Sequence, residues 1–296
     1  MMLNQKKMKL DISCGKKNSQ LHDVWVRLRR NKSSMVGFAI ISLLVICAVF
    51  ADQIAPYGYD DQVLTRRLLA PCKEFILGTD NLGRDIFSRI IYGGRISLQV
   101  GALAVTFAAT IGVVLGAIAG YYGKKVDNVI MRIIDIVLAI PSTLLAISIA
   151  ATLGSGMRNV MIAIGIGAIP SYARIVRASV LSLREQEFVE AARSIGASDF
   201  RIVFFHILPN CIAPIIVQAT TGVASAILST AALSFVGLGV QPPIPEWGSM
   251  LSSGRDYIRD YWWIVTFPGV AIMITIFSIN LFGDGLRDAL DPKLKN

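Results

Sequence analysis

The sequence predicts an all-α integral membrane protein that crosses the bilayer six times, and three observations predict it. Hydrophobic residues make up 54% of the 296 and the mean hydropathy is +0.58. Soluble domains hold roughly 45–50% apolar residues with glycine included. Uncharged runs long enough for a helix to cross a ~30 Å hydrocarbon core recur along the chain. Six crossings divide the 29 Lys and Arg into 20 on one face and 9 on the other, which by the positive-inside rule puts both termini in the cytoplasm. The net charge of +9 is therefore a matter of membrane sidedness and not a sign of nucleic-acid binding.

Residues 1–32 carry nine Lys or Arg against Asp11 and Asp23, a basic cytoplasmic tail, and the uncharged run 33–51 is the first span. Val49-Phe50-Ala51 resembles a signal-peptidase site, but the basic region is long and the apolar run exceeds an ordinary signal core, so the span reads as an uncleaved anchor. The polar stretch 55–95, counted with Asp52 just before it, balances six basic with six acidic residues, which suits the outer face. Within it Thr79 or Asp80 is placed to cap a short helix, and Arg84, Asp85 and Arg89 are spaced to pair along it. On the residues alone this is a solvated interfacial helix.

Residues 96–123 are an uncharged second span in which Ala108, Gly112, Gly116 and Gly120 recur every fourth position, a stripe suited to close helix packing more than to lining a pore. Lys124 and Lys125 mark a cytoplasmic turn. The third span, 128–153, contains Asp135, which Arg132 is spaced to neutralise, and Pro141, which demands a kink or break. Gly154-Ser155-Gly156 makes an outer turn, and the fourth span, 157–176, needs Arg158 and Arg174 to reach outward along their stems.

A charged amphipathic stretch then interrupts the apolar chain. Phe188, Ala191, Ala192 and Ile195 form one helical stripe, with Glu187, Glu190, Arg193 and Ser194 opposite. Gly196 is placed to end that helix in a left-handed conformation. Ser198 or Asp199 caps a second helix with the stripe Phe200, Val203, Phe204 and Ile207, and Pro209 closes it. The charge-free run 207–245 is too long for one straight crossing, which gives a fifth span over 213–233 followed by a short outer or re-entrant piece. Residues 241–248 are an outer loop, and Trp262-Trp263 begin an aromatic belt for a sixth span ending near Gly283.

Glu190-Ala191-Ala192, three further residues, Gly196, and Leu208-Pro209 after a fixed gap resemble the EAA loop of ABC importer permeases. Leu77-Gly78-Thr79-Asp80, Gly83-Arg84-Asp85, Ser88-Arg89 and Tyr92-Gly93-Gly94-Arg95 are similar to the dipeptide and oligopeptide branch of that family, as are 241–248 and 283–288. The resemblance spans about 26–293. It implies a six-helix type I ABC importer transmembrane domain in the bacterial cytoplasmic membrane. It divides the chain into a cytoplasmic tail (1–33), a first helix with its outer loop (34–95), a core (96–286) that includes a coupling loop (179–210), and a second tail (287–296). In that family the loop docks on an ATPase subunit, which makes Glu187, Glu190, Ala191, Ala192, Arg193 and Gly196 the expected coupling residues. The implied partners are a second, homologous permease subunit in a heterodimer, two ATP-binding subunits and an extracytoplasmic substrate-binding protein. The implied cargo is a di- or oligopeptide, with nickel or glutathione as the alternatives inside the same fold.

The residues themselves limit the chemistry. Gly123-Lys124 comes nearest to a phosphate-binding loop, but Ile118 stands where its first glycine belongs and Lys125 where its hydroxyl belongs. The chain is therefore expected to bind no cofactor, with ATP and Mg used by its partners. Cys14, Cys47, Cys72 and Cys211 lie in four separate segments and the only histidines are His22 and His206, which supports neither a disulfide framework nor a metal or catalytic site. A secondary transporter places ionisable groups at mid-membrane and shows internal repeats, and this sequence offers neither. Gln218 and Asn280 are amides able to face a translocation path, but buried amides more often bond across helices, and no substrate-binding residue is assigned.

Overall fold

The computed structural model describes residues 20–291. The first nineteen residues, with Cys14 and five of the nine tail cations, lie outside them, as do 292–296. Apart from its loops the described chain is helical, with one isolated β-bridge, Thr79 to Asp85, and no strand among the described residues. Among the described residues five helical segments are long and apolar enough to cross a membrane, and a sixth crossing is available if one bent pair counts as a span.

α1 (Gln20–Arg30) and α2 (Lys32–Val49) meet at Asn31, whose Oδ1 accepts the Ser34 amide at 3.2 Å and so caps α2. A single turn, α3 (Ala51–Ile54), leads into the loop 55–85. α4 (Ile86–Tyr122) starts on Asp85, whose Oδ2 accepts both the Ser88 amide (2.8 Å) and its hydroxyl (2.6 Å). α7 (Met157–Leu183) packs along most of α4 because the small-residue stripe admits its backbone. A Cβ on Gly112 would lie 2.5 Å from Tyr172 Cβ, and one on Gly120 2.8 Å from Val180 Cβ.

Between them the third span is not one kinked helix. α5 (Lys124–Ala139) and α6 (Ser142–Leu153) meet at 88°, because Ile140 and Pro141 are both extended and proline has no N–H to continue the ladder. Asp135 does not pair with Arg132: it accepts from Arg174 Nη2 of α7 at 2.7 Å, and about two turns away on α5 Asp127 takes Arg177 in a two-pronged pair at 2.5 and 2.6 Å. A partner on the neighbouring helix displaces the local one because long Arg stems on α7 cross to α5. Arg174 is thereby committed to an ion pair as well as to reaching outward.

α8 (Glu187–Ser194) and the α-helical turn α9 (Asp199–Arg201) follow. From Asp199 the chain stays helical to Phe235, through a π segment (Ile202–Ile207), a 3-10 segment (Leu208–Cys211) and α10 (Ile212–Phe235). Pro209 therefore does not close a separate helix. The wider π turn, with Leu208 N–H reaching Val203 O, accommodates the proline that an α ladder would reject. The short outer piece is α11 (Trp247–Gly254), and α12 (Trp263–Leu290) completes the bundle. α12 runs past Gly283, since Gly283 and Gly285 serve as close-packing points against Thr221 and Ser34 and not as a terminus. Of the expected aromatic belt, Trp262 is exposed while Trp263 is buried and donates to Thr79 O at 3.4 Å.

The loop end of the bundle is not a solvated helix. Asp80, Arg84, Asp85 and Arg89 are all buried. Asp85 is a helix cap and Asp80 is the carboxylate the cations share, 2.7 Å from Arg84 Nε and 3.7 Å from Arg89 Nε. Arg89 also donates to Tyr59 O at 2.7 Å. Glu246, 0% exposed, caps α11 by accepting the Gly248 and Ser249 amides (2.9 and 2.8 Å) and takes Ser97 Oγ of α4 at 3.3 Å. The Trp247 indole seats on Gly93 and Gly94, 3.1 Å from where their Cβ atoms would stand, and donates to Ile90 O at 2.9 Å. Arg95 ties this end to α2 and α3 through Ala48 O (2.8 Å), Val49 O (3.0 Å) and Asp52 (3.0 Å), and its hydrogen bond holds the Asp52 carboxyl below the usual carboxylate range.

Candidate functional site: the two-helix segment and the cavities beside it

The segment begins where α7 ends, with Arg184 Nη1 donating to Gly120 O at 3.1 Å. Glu187 and Glu190 stand in the first turn of α8 and Arg193 in its last, each sign at the end of the helix dipole that favours it. α8 ends in a Schellman turn: Ala197 N–H bonds Ala192 O (3.1 Å), Gly196 N–H bonds Arg193 O (3.0 Å), and Gly196 has φ +79°. A Cβ at Gly196 would touch nothing within 4 Å, so the glycine is there for its backbone angle alone. Ser198 caps the next turn, accepting the Arg201 amide at 3.4 Å, while Asp199 accepts from Tyr121 Oη at 2.7 Å.

The burial of this segment reverses part of the sequence expectation. Val189, Ala192, Ile202, Val203 and Ile207 turn inward and form one cluster with Ala117, Tyr121, Val176 and Val180. Of the expected stripe on α8 only Ala192 is buried, and of that on the second helix only Val203 and Ile207. Ile195 is 85% exposed, Phe205 69% and Phe200 65%, with Phe188 and Phe204 also exposed and the Phe200 and Phe204 rings 4.5 Å apart. Two turns of helix with apolar residues on both faces do not specify which face goes in. The valines and isoleucines of α7 and the π segment decide, and the Val189 to Ala192 spacing was the signal available in the sequence. Glu187, Glu190, Ala191, Arg193 and Gly196 are all exposed on the same segment as these apolar side chains. An apolar surface rimmed by charges is the usual form of a docking site.

Two cavities meet at Gln218 of α10. One, of about 300 Å³, is lined by Ser142, Ser171, Tyr172, Gln218, Thr221 and Ser225 among others, none of them charged. The other, of about 500 Å³, includes Asn210, Gln218 and Thr221 and is flanked by Asp284 and Arg287 of α12. Thr221 and Ser225 donate to carbonyls of their own helix (3.2 and 3.4 Å), which leaves each hydroxyl oxygen free to accept a further bond. Among the described residues the Gln218 amide makes no hydrogen bond inside the chain, so its donors and acceptor are available to a guest. Asn280, the other amide singled out in the sequence, is exposed on α12 and lines neither cavity.

Residues 112–296 match the family described as binding-protein-dependent transport system inner membrane component, and 19–71 match the N-terminal transmembrane domain of oligopeptide transport permease C. The dipeptide transport system permease protein of Alkalihalophilus pseudofirmus is 51% identical over 278 residues, which cover 94% of this chain and 91% of that one. The di/tripeptide transport system permease protein of Pseudomonas aeruginosa is 48% identical and the dipeptide permease of Escherichia coli K12 is 47% identical, with 94% and 93% of this chain covered and 94% of each relative. Among solved structures, an inward-facing MetNI methionine ABC transporter superposes with a TM-score of 0.56 at 21% identity, over 69% of this chain and 96% of that one. An amino acid ABC transporter gives 0.53 at 16% identity, over 68% and 94%. The match over the span-and-segment core, together with the relatives along nearly the whole length, shows that the chain belongs to the binding-protein-dependent transport system inner membrane components, the permease subunits of ABC importers.

Proposed function

We propose that this chain carries di- and oligopeptides inward across a bacterial cytoplasmic membrane as one of two different permease subunits, powered by ATP and Mg on two separate ATPase subunits and loaded by an external binding protein. The observation that carries the energy-coupling part is the aromatic patch of Phe200, Phe204 and Phe205 with Ile195. It is exposed beside Glu187, Glu190 and Arg193 on a segment whose inner face is fully packed. A cleft on an ATPase subunit would cover that patch, with Ala191 leaving room for close approach and Gly196 setting the angle between the helices. Peptide cargo is supported by the named activities of the relatives and by the uncharged cavity around Gln218, whose hydroxyls and amide suit a peptide backbone more than a bare cation. Cytoplasmic termini, with the segment 179–210 on that same side, are supported by the 20 to 9 division of Lys and Arg.

A strain lacking this chain is expected to lose growth on di- or oligopeptides as the source of a required amino acid while taking up the free amino acid normally. Unchanged peptide uptake with lowered nickel or glutathione accumulation would reassign the cargo and leave the importer function standing. For orientation, Cys72 is exposed in the loop 55–85, so a membrane-impermeant thiol reagent should label it on intact cells. Labelling that requires the membrane to be opened first would invert the proposed topology.

A further inference from the structure

The two-helix segment touches the rest of the bundle in two different ways. Its apolar side shares a cluster with Ala117, Val176 and Val180, and such contacts are non-directional. Its polar contacts gather at the end of α4, where Arg184 donates to Gly120 O and Tyr121 takes those from the helices themselves. Among the described residues, every polar side-chain contact from α8 or α9 to a spanning helix runs through Tyr121, one residue before the end of α4. Its Oη donates to Asp199 Oδ1 at 2.7 Å, and the Arg193 guanidinium carbon lies 6.0 Å from its ring centre. Tyr121 is 9% exposed and Asp199 is exposed, so the bond stands at the edge of the packed cluster and draws its strength from the carboxylate charge. α4 in turn is locked along α7 by its small-residue stripe, and Ala104 and Val105 of α4 form part of the wall of the 300 Å³ cavity. A continuous path of stiff elements thus runs from Asp199 to the cavity, with Tyr121 as its first link.

We propose that Tyr121 is a positioning residue for energy coupling: it makes α8, α9 and α4 move as one body, so that a displacement imposed at the aromatic patch reaches the cavity. This rests on the importer function proposed above. The test uses the assembled transporter, with both permease subunits, the ATPase subunits, and the binding protein carrying whatever cargo it retains on purification. ATP hydrolysis is measured with and without the binding protein. Tyr121→Phe, which lacks only the hydroxyl, is expected to assemble and to keep its unstimulated hydrolysis while losing stimulation by about tenfold. Asp199→Ala, at an exposed position that does not endanger folding, should lose as much. Because both remove the same bond, the double variant should be no worse than either single one. Asp199→Asn keeps an acceptor oxygen and should retain most of the stimulation. Wild-type stimulation in Tyr121→Phe and Asp199→Ala overturns the proposal, and so do losses that simply add in the double variant. Hydrolysis reports coupling whatever the cargo is, so normal stimulation without peptide uptake counts against the peptide assignment alone.

Discussion

The loop end of the bundle and the two-helix segment between α7 and α10 both carry charged, glycine-punctuated motifs, yet they use them in opposite ways. At the loop end Asp80, Arg84, Arg89 and Glu246 are buried, and Trp247 fills the space above Gly93 and Gly94. In the segment Glu187, Glu190 and Arg193 are exposed, Gly196 has open space around it, and large apolar side chains face outward. Motif residues at the first place are spent on internal fit, and at the second they are left for something outside the chain. Resemblance to relatives does not distinguish the two uses, whereas burial does.

The comparison would break first at Asp80. Asp80→Ala leaves two buried guanidiniums without the carboxylate they share and is expected to destabilise by ~3–5 kcal/mol. In detergent that corresponds to a melting temperature lower by roughly 10 °C. A variant that melts with the parent would show that the loop-end charges are not what hold it. The segment should respond in the other sense. Phe200→Ser, at a 65% exposed position, is expected to change stability by no more than ~0.5 kcal/mol. It should weaken retention of the ATPase subunits on co-purification by about thirtyfold, the order of a single aromatic anchor. Undiminished retention would remove the patch from the docking surface. Gly196→Ala sharpens the same contrast with the smallest effect, since the added methyl meets only the left-handed backbone penalty of about 1–2 kcal/mol and its loss of ATPase retention on co-purification should lie between that of Phe200→Ser and the parent.

Much of the fold was legible because a bilayer imposes simple arithmetic on a sequence. Uncharged runs, the Ala108 to Gly120 stripe and the Gly154-Ser155-Gly156 turn each follow from hydropathy or the absence of a side chain. The helix stop at Gly196 and the cap at Ser198 were equally local, since each depends on a backbone angle or a hydrogen bond within three or four residues. What the sequence could not settle were choices among partners of comparable local merit. Arg132 is as well spaced for Asp135 as Arg174 is placed, but only the packing of α5 on α7 brings Arg174 within 2.7 Å. Gly283 has the form of a helix end, and only the approach of Thr221 makes it a contact in mid-helix.

Composition and periodicity by themselves determined that this chain is a membrane bundle with a polar, amphipathic interruption whose first helix ends in a left-handed glycine. Those features are set within a few residues of one another or by the bilayer as a solvent. Tertiary structure alone decided that the loop-end charges are buried, that Val189 and Ala192 face inward while Ile195 and Phe200 face out, and that Tyr121 meets Asp199 across 78 positions. Each of those is a competition between distant side chains for the same space, and its outcome depends on which helices lie side by side.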